Sequence, residues 1–232
     1  MSPPPIELQK AYVEWSRKAS EALSRAATGF RIQQTELDRL ADSIVFASLK
    51  SSRCVHLIGN VLDEIKNGIG SDWKKYPVLG ATRSGLAPAK EPPGKFPERY
   101  RPVTAGTVFY NPMRILIGSI AFLDENEQPG ITSPDYVVLK GRPGIVDSRW
   151  FYYWLRSPLG ERCIQSLARG AVRERMLFNR LAEGEIELPD YVTQVKASRA
   201  LAQIKSMRAV LLEQVANLKL MPEKFLAQVL GA

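Results

Sequence analysis

The chain has 232 residues, a mass of 25.9 kDa and a formal charge of +8, with 45% apolar and 24% charged residues. That composition excludes a disordered chain and is enough for one or two domains with a sizeable core. The longest apolar stretch, Ile115 to Leu123, is nine residues long and contains Gly118 and Ser119, about half of what a membrane-spanning helix needs.

The first ten residues, MSPPPIELQK, hold no apolar signal core, so export is not expected. From Ile6 to Lys50 there is no proline and one glycine, Gly29, which predicts a long helix over about 5–49. Its apolar seam runs Leu8, Tyr12, Trp15, Ala19, Ala22, Ala26, with Leu23 beside it. It resumes through Phe30, Gln33, Leu37, Leu40, Ile44 and Ala47. A helix of that length, roughly 65 Å, needs another long helix beside it to bury such a seam.

The middle, residues 53–185, contains 25 of the 32 prolines and glycines and 19 Lys/Arg against 14 Asp/Glu. It is predicted to be a compact mixed α+β domain with a twisted sheet. Val61 to Ile65 reads as a short strand or helix. Strands are expected at Tyr76 to Leu79, Val108 to Tyr110, Ile115 to Leu123 and Tyr136 to Leu139. Residues 148–169 read as helical, with a kink or break at Pro158. The last flank, 186–232, is again poor in proline and glycine. Its seam is Ile204, Met207, Leu211, Gln214, Leu218, Met221 and Phe225.

The flanks resemble each other. Pro4-x4-Gln9 matches Pro189-x4-Gln194, and Phe30, Gln33, Leu37, Leu40 and Ile44 recur as Leu211, Gln214, Leu218, Met221 and Phe225. Gln33 and Gln214 are thus candidates for polar seam residues that fix register and partner, or are exposed seam edges.

Catalysis finds little support. Tyr110-Asn111-Pro112-Met113-Arg114 is partly like an amino-methyltransferase motif, but Met113 and Arg114 stand where a second proline and an aromatic are needed. Gly68-Ile69-Gly70 is a weak cofactor turn. Pro134-Asp135 lacks the later acid and lysine of a nuclease metal site. No nucleophile elbow occurs, and His56 is the single histidine. Two cysteines, Cys54 and Cys163, form no disulfide framework, which fits a reducing cytoplasm. A zinc site built from them and His56 stays open but has no spacing signature.

A basic, loop-rich domain between two helices is what is left. Its excess charge suits a polyanion, nucleic acid first, or is ordinary solvated surface. The candidate DNA-binding residues are Thr82, Arg83, Ser84, Lys90, Lys95, Arg99, Arg101, Tyr110, Asn111, Arg114, Arg173 and Arg175. Arginine can bond guanine with two donors, asparagine can pair with adenine, and hydroxyls serve phosphates.

The whole chain resembles a specificity (S) subunit of type I restriction-modification systems, in a half-length form. The resemblance rests on motifs in order: Pro4-x4-Gln9, Leu37-x2-Leu40-x3-Ile44, Leu57-x-Gly59, Leu79-Gly80-Ala81-Thr82-x2-Gly85, Gly106-x3-Tyr110-Asn111-Pro112-Met113-Arg114, Gly118-Ser119, Gly130-x2-Ser133-Pro134-x-Tyr136, Gly170-x2-Arg173 and Leu188-Pro189-x4-Gln194. It implies one target recognition domain (53–185) flanked by two long spacer helices (1–52 and 186–232) that pair as an antiparallel coiled coil. The same resemblance implies a non-catalytic subunit, and no metal or cofactor is expected. Its implied partners are double-stranded DNA, a methyltransferase (M) subunit and a restriction (R) subunit. A full subunit has two recognition domains. With room for one, two copies pair through their helices, or the chain is a fragment or a half needing another half. The competing reading is a coiled-coil scaffold whose middle domain binds protein.

Overall fold

The computed structural model describes residues 5–50, 53–168 and 175–230, with residues 8, 11, 219 and 222–230 described by backbone only. Two compact units result, one of residues 1–40 with 203–232 and one of residues 41–202.

The first unit is a helix pair, built from most of α1 (Ile6–Ser48) and most of α6 (Tyr191–Leu230). Arg208 Nη2 meets Asp38 Oδ1 at 2.6 Å, while Trp15, Ala19, Ala22, Leu23 and Ala26 line one hollow with Leu218 and Met221. As residue numbers rise along α1 they fall along α6, so the pair is antiparallel. The alanines let the partner helix come close.

The covered faces differ in phase from the expected seam. On α1 the half-buried row is Trp15, Ala19, Leu23, Ala26, Phe30, Gln34 and Leu37. Gln33 and Leu40 are exposed. On α6, Ile204 and Leu211 are buried, with Arg208, Val215 and Leu218 half-buried between and after them. Met207 and Gln214 face solvent. Both helices carry apolar residues on more than one face, so spacing alone admits either phase. Among the described residues, Gln34 and Arg208 are polar residues half-buried in these rows. The Phe225 side chain lies outside the described residues.

The second unit is the α+β domain. Its centre is a four-stranded antiparallel sheet, ordered β2 (Leu62–Glu64), β9 (Val137–Gly141), β6 (Thr107–Tyr110), β7 (Ile120–Phe122). Every residue of β6 is buried, because the strand is covered on both faces. Phe109 faces a cluster of Ala81, Val103, Ala121, Leu123 and Val138. Three two-stranded pairs surround this sheet: β1 (Arg53–Leu57) with β10 (Glu185–Pro189), β3 (Leu79–Thr82) with β4 (Gly85–Pro88), and β5 (Arg101–Val103) with β8 (Gly130–Thr132).

Short helices complete the unit: α2 (Ile58–Val61), α3 (Ser148–Arg156), α4 (Pro158–Leu167) and α5 (Phe178–Leu181). In α3, Trp150 to Leu155 are all buried, and Tyr152 stacks on Phe122 of β7 with ring centroids 5.8 Å apart. The expected break at Pro158 occurs one residue earlier. Ser157 ends α3 and caps α4, its hydroxyl accepting from Leu159 N at 3.2 Å.

Three expectations are corrected. Of Tyr76 to Leu79 only Leu79 lies in a strand, the first residue of β3, while Val78 makes a single parallel bridge to Ile131 and Pro77 has no N–H for a ladder. The stretch from Ile115 to Leu123 breaks at Gly118, whose φ of +81° suits glycine. Ile115–Ile117 is a 3-10 turn and only Ile120–Phe122 pairs with β6. The boundary at 186 falls inside β10, which pairs with β1 from Arg53↔Pro189 to Leu57↔Glu185, so α6 starts at Tyr191.

No described helix is long and apolar enough to cross a membrane.

Candidate nucleic-acid interface

Two turns of the domain are held side by side. The β3–β4 turn carries Thr82, Arg83 and Ser84. Thr82 Oγ1 donates to Gly85 O at 3.1 Å and accepts from Ser84 N at 3.2 Å, closing the turn. The β6–β7 turn carries Asn111 to Ser119. Asn111 Oδ1 accepts from Met113 N at 2.9 Å, and Arg114 O accepts from Ile117 N and Ser119 N.

Buried Ser119 ties the two turns by donating to Ala81 O at 2.6 Å. Arg156, at the end of α3, ties them again. Its Nη1 donates to Gly118 O at 3.2 Å and Ile120 O at 3.1 Å, while Nη2 donates to Arg83 O at 2.6 Å. Its guanidinium lies over the Tyr152 ring, 5.4 Å from the centroid. Another stretch of chain is fixed to the β6–β7 turn, where Met176 N donates to Pro112 O at 3.1 Å.

The result is one face with the exposed guanidinium groups of Arg83 and Arg114 and the hydroxyl of Ser84 on adjoining turns. Neither 81–89 nor 111–120 contains an acidic residue. Such a face attracts anions, and exposed arginines are free to fork onto a phosphate or a base edge.

The other candidates divide. Arg101 is turned inward and paired with Glu64 at 2.9 Å, the two side chains 17% and 11% exposed, so it is not available to a ligand. Tyr110 is a core residue of β6. Its hydroxyl has no partner among the described residues, and burial, with the Glu64 carboxylate nearby, pushes its pKa well above the ordinary value. These two assignments are therefore corrected. The motif-like Tyr110-Asn111-Pro112 is a strand end entering a turn.

Asn111 spends its side-chain oxygen inside the turn, and reading adenine with both amide atoms would cost that bond. Arg175 is exposed but bonded to Asp135 at 2.9 Å. Lys90, Lys95 and Arg99 are exposed on a separate stretch. There Ile69 N donates to Tyr100 O at 2.7 Å, and the 3-10 turn Pro97–Arg99 packs by Gly68. Arg173 lies outside the described residues.

Arg156 was missed by sequence reasoning. It sits in an aromatic helix, and a lone arginine ending such a run is the only signal it offers. Leu116 and Ile117, exposed on the β6–β7 turn with Met113, were hidden by reading 115–123 as a strand.

Among the described residues no three His, Cys, Asp or Glu side chains gather as a metal site. Cys54, Cys163 and His56 are all described and are not brought together as such a group. Cys54 is exposed on β1, while Cys163 is half-buried on α4. Burial, then the Glu185 carboxylate, pushes the Cys163 thiol pKa up, which makes it a poor nucleophile.

Tyr110→Phe should alter stability by less than ~1 kcal/mol or raise it slightly, because no hydrogen bond is lost. It should leave any DNA preference unchanged. Urea unfolding with a binding assay checks this, and a marked loss of sequence preference would return Tyr110 to the interface.

Its sequence matches no protein-family model and no curated protein sequence. The three-dimensional comparison is decisive for the fold. A type I restriction-modification S subunit from M. genitalium superposes with a TM-score of 0.62 at 15% identity, covering 95% of this chain. The fold is similar to that of a type I specificity subunit. A second structure, from work on assembly and conformational transition of a type I restriction-modification system, gives a TM-score of 0.55 at 16% identity over 97% of the chain. The chain spans 60% and 59% of the lengths of these two. What they share with it is the architecture: long first and last helices flanking a β-rich domain.

Proposed function

We propose that the chain is a non-catalytic DNA-reading specificity subunit of a type I restriction-modification assembly. It binds double-stranded DNA and directs a methyltransferase subunit, and with it a restriction subunit, to a two-part site. The observation that carries this reading is the pairing of Arg83 and Arg114 on two turns that contain no acidic residue, tied together by Arg156 and Ser119, on a fold similar to that of a specificity subunit.

Two copies associate through their helices, so that two recognition domains read two half-sites. Supporting this, the helix pair leaves Ile32, Leu40, Met207 and Val210 exposed, more large apolar side chains than one antiparallel pair needs to show. Equivalent helices can meet about a two-fold axis.

The test is base-resolved methylation of a genomic DNA library by the cognate methyltransferase subunit, with and without this chain. Methylation at one two-part motif only when both are present is expected, and a symmetric motif would report two copies acting together. Methylation indifferent to the chain would favour the scaffold reading instead. An insertion of four residues within 26–29 adds about 6 Å of helix and should lengthen the gap between half-sites without changing their sequence. A fixed gap with binding retained would remove the helices as the spacer.

A further inference from the structure

The β6–β7 turn does something that its arginines do not explain. It holds three large aliphatic side chains in solvent: Met113 is 54% exposed, Leu116 49% and Ile117 66%. Single exposed hydrophobes are common on surfaces. Three within five residues, on a turn that cannot fold them away, are a feature of another kind.

The turn is held by several backbone bonds. Asn111 N donates to Ser119 O at 3.1 Å, Arg114 N to Asn111 O at 2.9 Å, Gly118 N to Ile115 O at 2.9 Å and Ile120 N to Gly118 O at 2.8 Å. Pro112 and Ile115 are buried and anchor it from below. The aliphatic tip is therefore presented already ordered, and a partner would gain its burial without first ordering the backbone.

The flanks say what kind of partner. Arg114 lies inside the tip. Arg83 lies beside it, its Cγ 3.6 Å from where a Cβ on Gly118 would stand. No acidic residue occurs in either turn. An apolar tip that carries one cation and lies beside another fits a duplex, whose phosphates flank a groove floored by stacked bases and thymine methyls.

We propose that Met113, Leu116 and Ile117 form an aliphatic wedge that enters a groove of duplex DNA and presses on a base step, while Arg83 and Arg114 hold the phosphates on either side. This rests on the DNA-reading function above and adds to it a mode of reading. A wedge reads how readily a step is unstacked or bent, so it selects sequence without hydrogen bonds.

Salt separates the two kinds of contact. Arginine–phosphate contacts release counterions and so steepen the dependence of log affinity on log salt by about 0.9 each. Aliphatic contacts release none. The probe is a pool of 30-base-pair duplexes enriched from random sequence by the full-length wild-type chain. Affinities are measured by fluorescence anisotropy between 50 and 200 mM NaCl, and bending by energy transfer between end labels.

Leu116→Ser and Ile117→Ser should each weaken binding about tenfold with the salt slope unchanged and the bend reduced. Ile117→Val should restore most of it. Arg83→Ala and Arg114→Ala should each flatten the slope by about one. Thermal unfolding of the serine variants should match wild type, since both positions are exposed. If wild type enriches no duplex in a salt-sensitive way, the DNA-reading function itself fails. If wild type binds and the serine variants bind equally well, the wedge alone is overturned. It is overturned too if those variants keep DNA affinity but no longer associate with the methyltransferase subunit, for then the tip is a protein-docking point.

Discussion

Arg156→Met is expected to abolish sequence-specific DNA binding and to cost about 3 kcal/mol of stability, from the loss of charged hydrogen bonds to carbonyls. The guanidinium bonds Gly118 O, Ile120 O and Arg83 O at once. Gly118 O belongs to one turn, Ile120 O to the strand that follows it and Arg83 O to the other turn, so the side chain works as a cross-tie. Methionine keeps the contact with Tyr152 but leaves Ile120 O and Arg83 O without the guanidinium and Gly118 O with its bond from Ile120 N alone. Lysine should recover little, because one ammonium cannot reproduce a planar fork aimed at three oxygens. The turns would then move independently, and Arg83 would no longer be held in register with Arg114. Urea unfolding gives the stability change, and anisotropy on a wild-type-enriched duplex gives the binding change. A variant with wild-type sequence preference would show that Ser119 alone positions the turns.

Gln194→Leu should destabilise the α+β unit by about 3 kcal/mol, the cost of stripping several buried polar groups of their partners. Gln194 is fully buried near the start of α6. Its Oε1 accepts from Asp147 N at 2.9 Å, and its Nε2 donates to Ile145 O at 3.0 Å and Pro189 O at 2.8 Å. Asp147 in turn caps α3, its Oδ1 accepting from Trp150 N at 2.9 Å. One amide thus joins the end of β10, the entry to α3 and the first turns of α6. Leucine fits the volume but satisfies none of the three backbone groups, so the loss cannot be recovered by apolar packing. A stability change below ~1 kcal/mol, the worth of one ordinary hydrogen bond, would mean that the chain relaxes to pair those groups elsewhere. Chemical denaturation, with tryptophan fluorescence following α3, measures it.

The long helices were legible because helix formation is local. Long stretches nearly free of glycine and proline, with apolar residues every three or four, favour a helix from local sequence alone. The start of α6 at Tyr191 also has a local cause. Asp190 accepts from Thr193 N at 2.9 Å and Thr193 Oγ1 at 2.7 Å, bonds that hold its carboxyl pKa below the ordinary value.

Which face of each helix is covered was not legible. Gln33 and Gln34 are one residue apart, and so are Gln214 and Val215. Spacing admits both phases, and only the partner helix chooses. The small sheets escaped for a related reason. β5 and β8 have three residues each, and β1 finds β10 across more than 120 residues. Such ladders are decided by what else the chain brings near.

The candidate site shows the same division residue by residue. Arg83, Arg101 and Arg114 are alike in sequence, each a basic residue in a turn-rich region. Arg101 is lost to a ligand because Glu64, 37 residues earlier, meets it inside the fold. Arg83 and Arg114 stay free because the turns beside them carry no acid. Tyr110 and Asn111 sit in one motif, yet the first is core and the second is turn.

The amino-acid sequence by itself determined the two long helices, the turn-rich basic domain between them and the stock of arginines. Those depend on composition and on neighbours within a few residues. Only the tertiary structure decided which helix faces meet, which strands pair and which arginines stay exposed. Each of those outcomes depends on a contact between segments far apart in the chain.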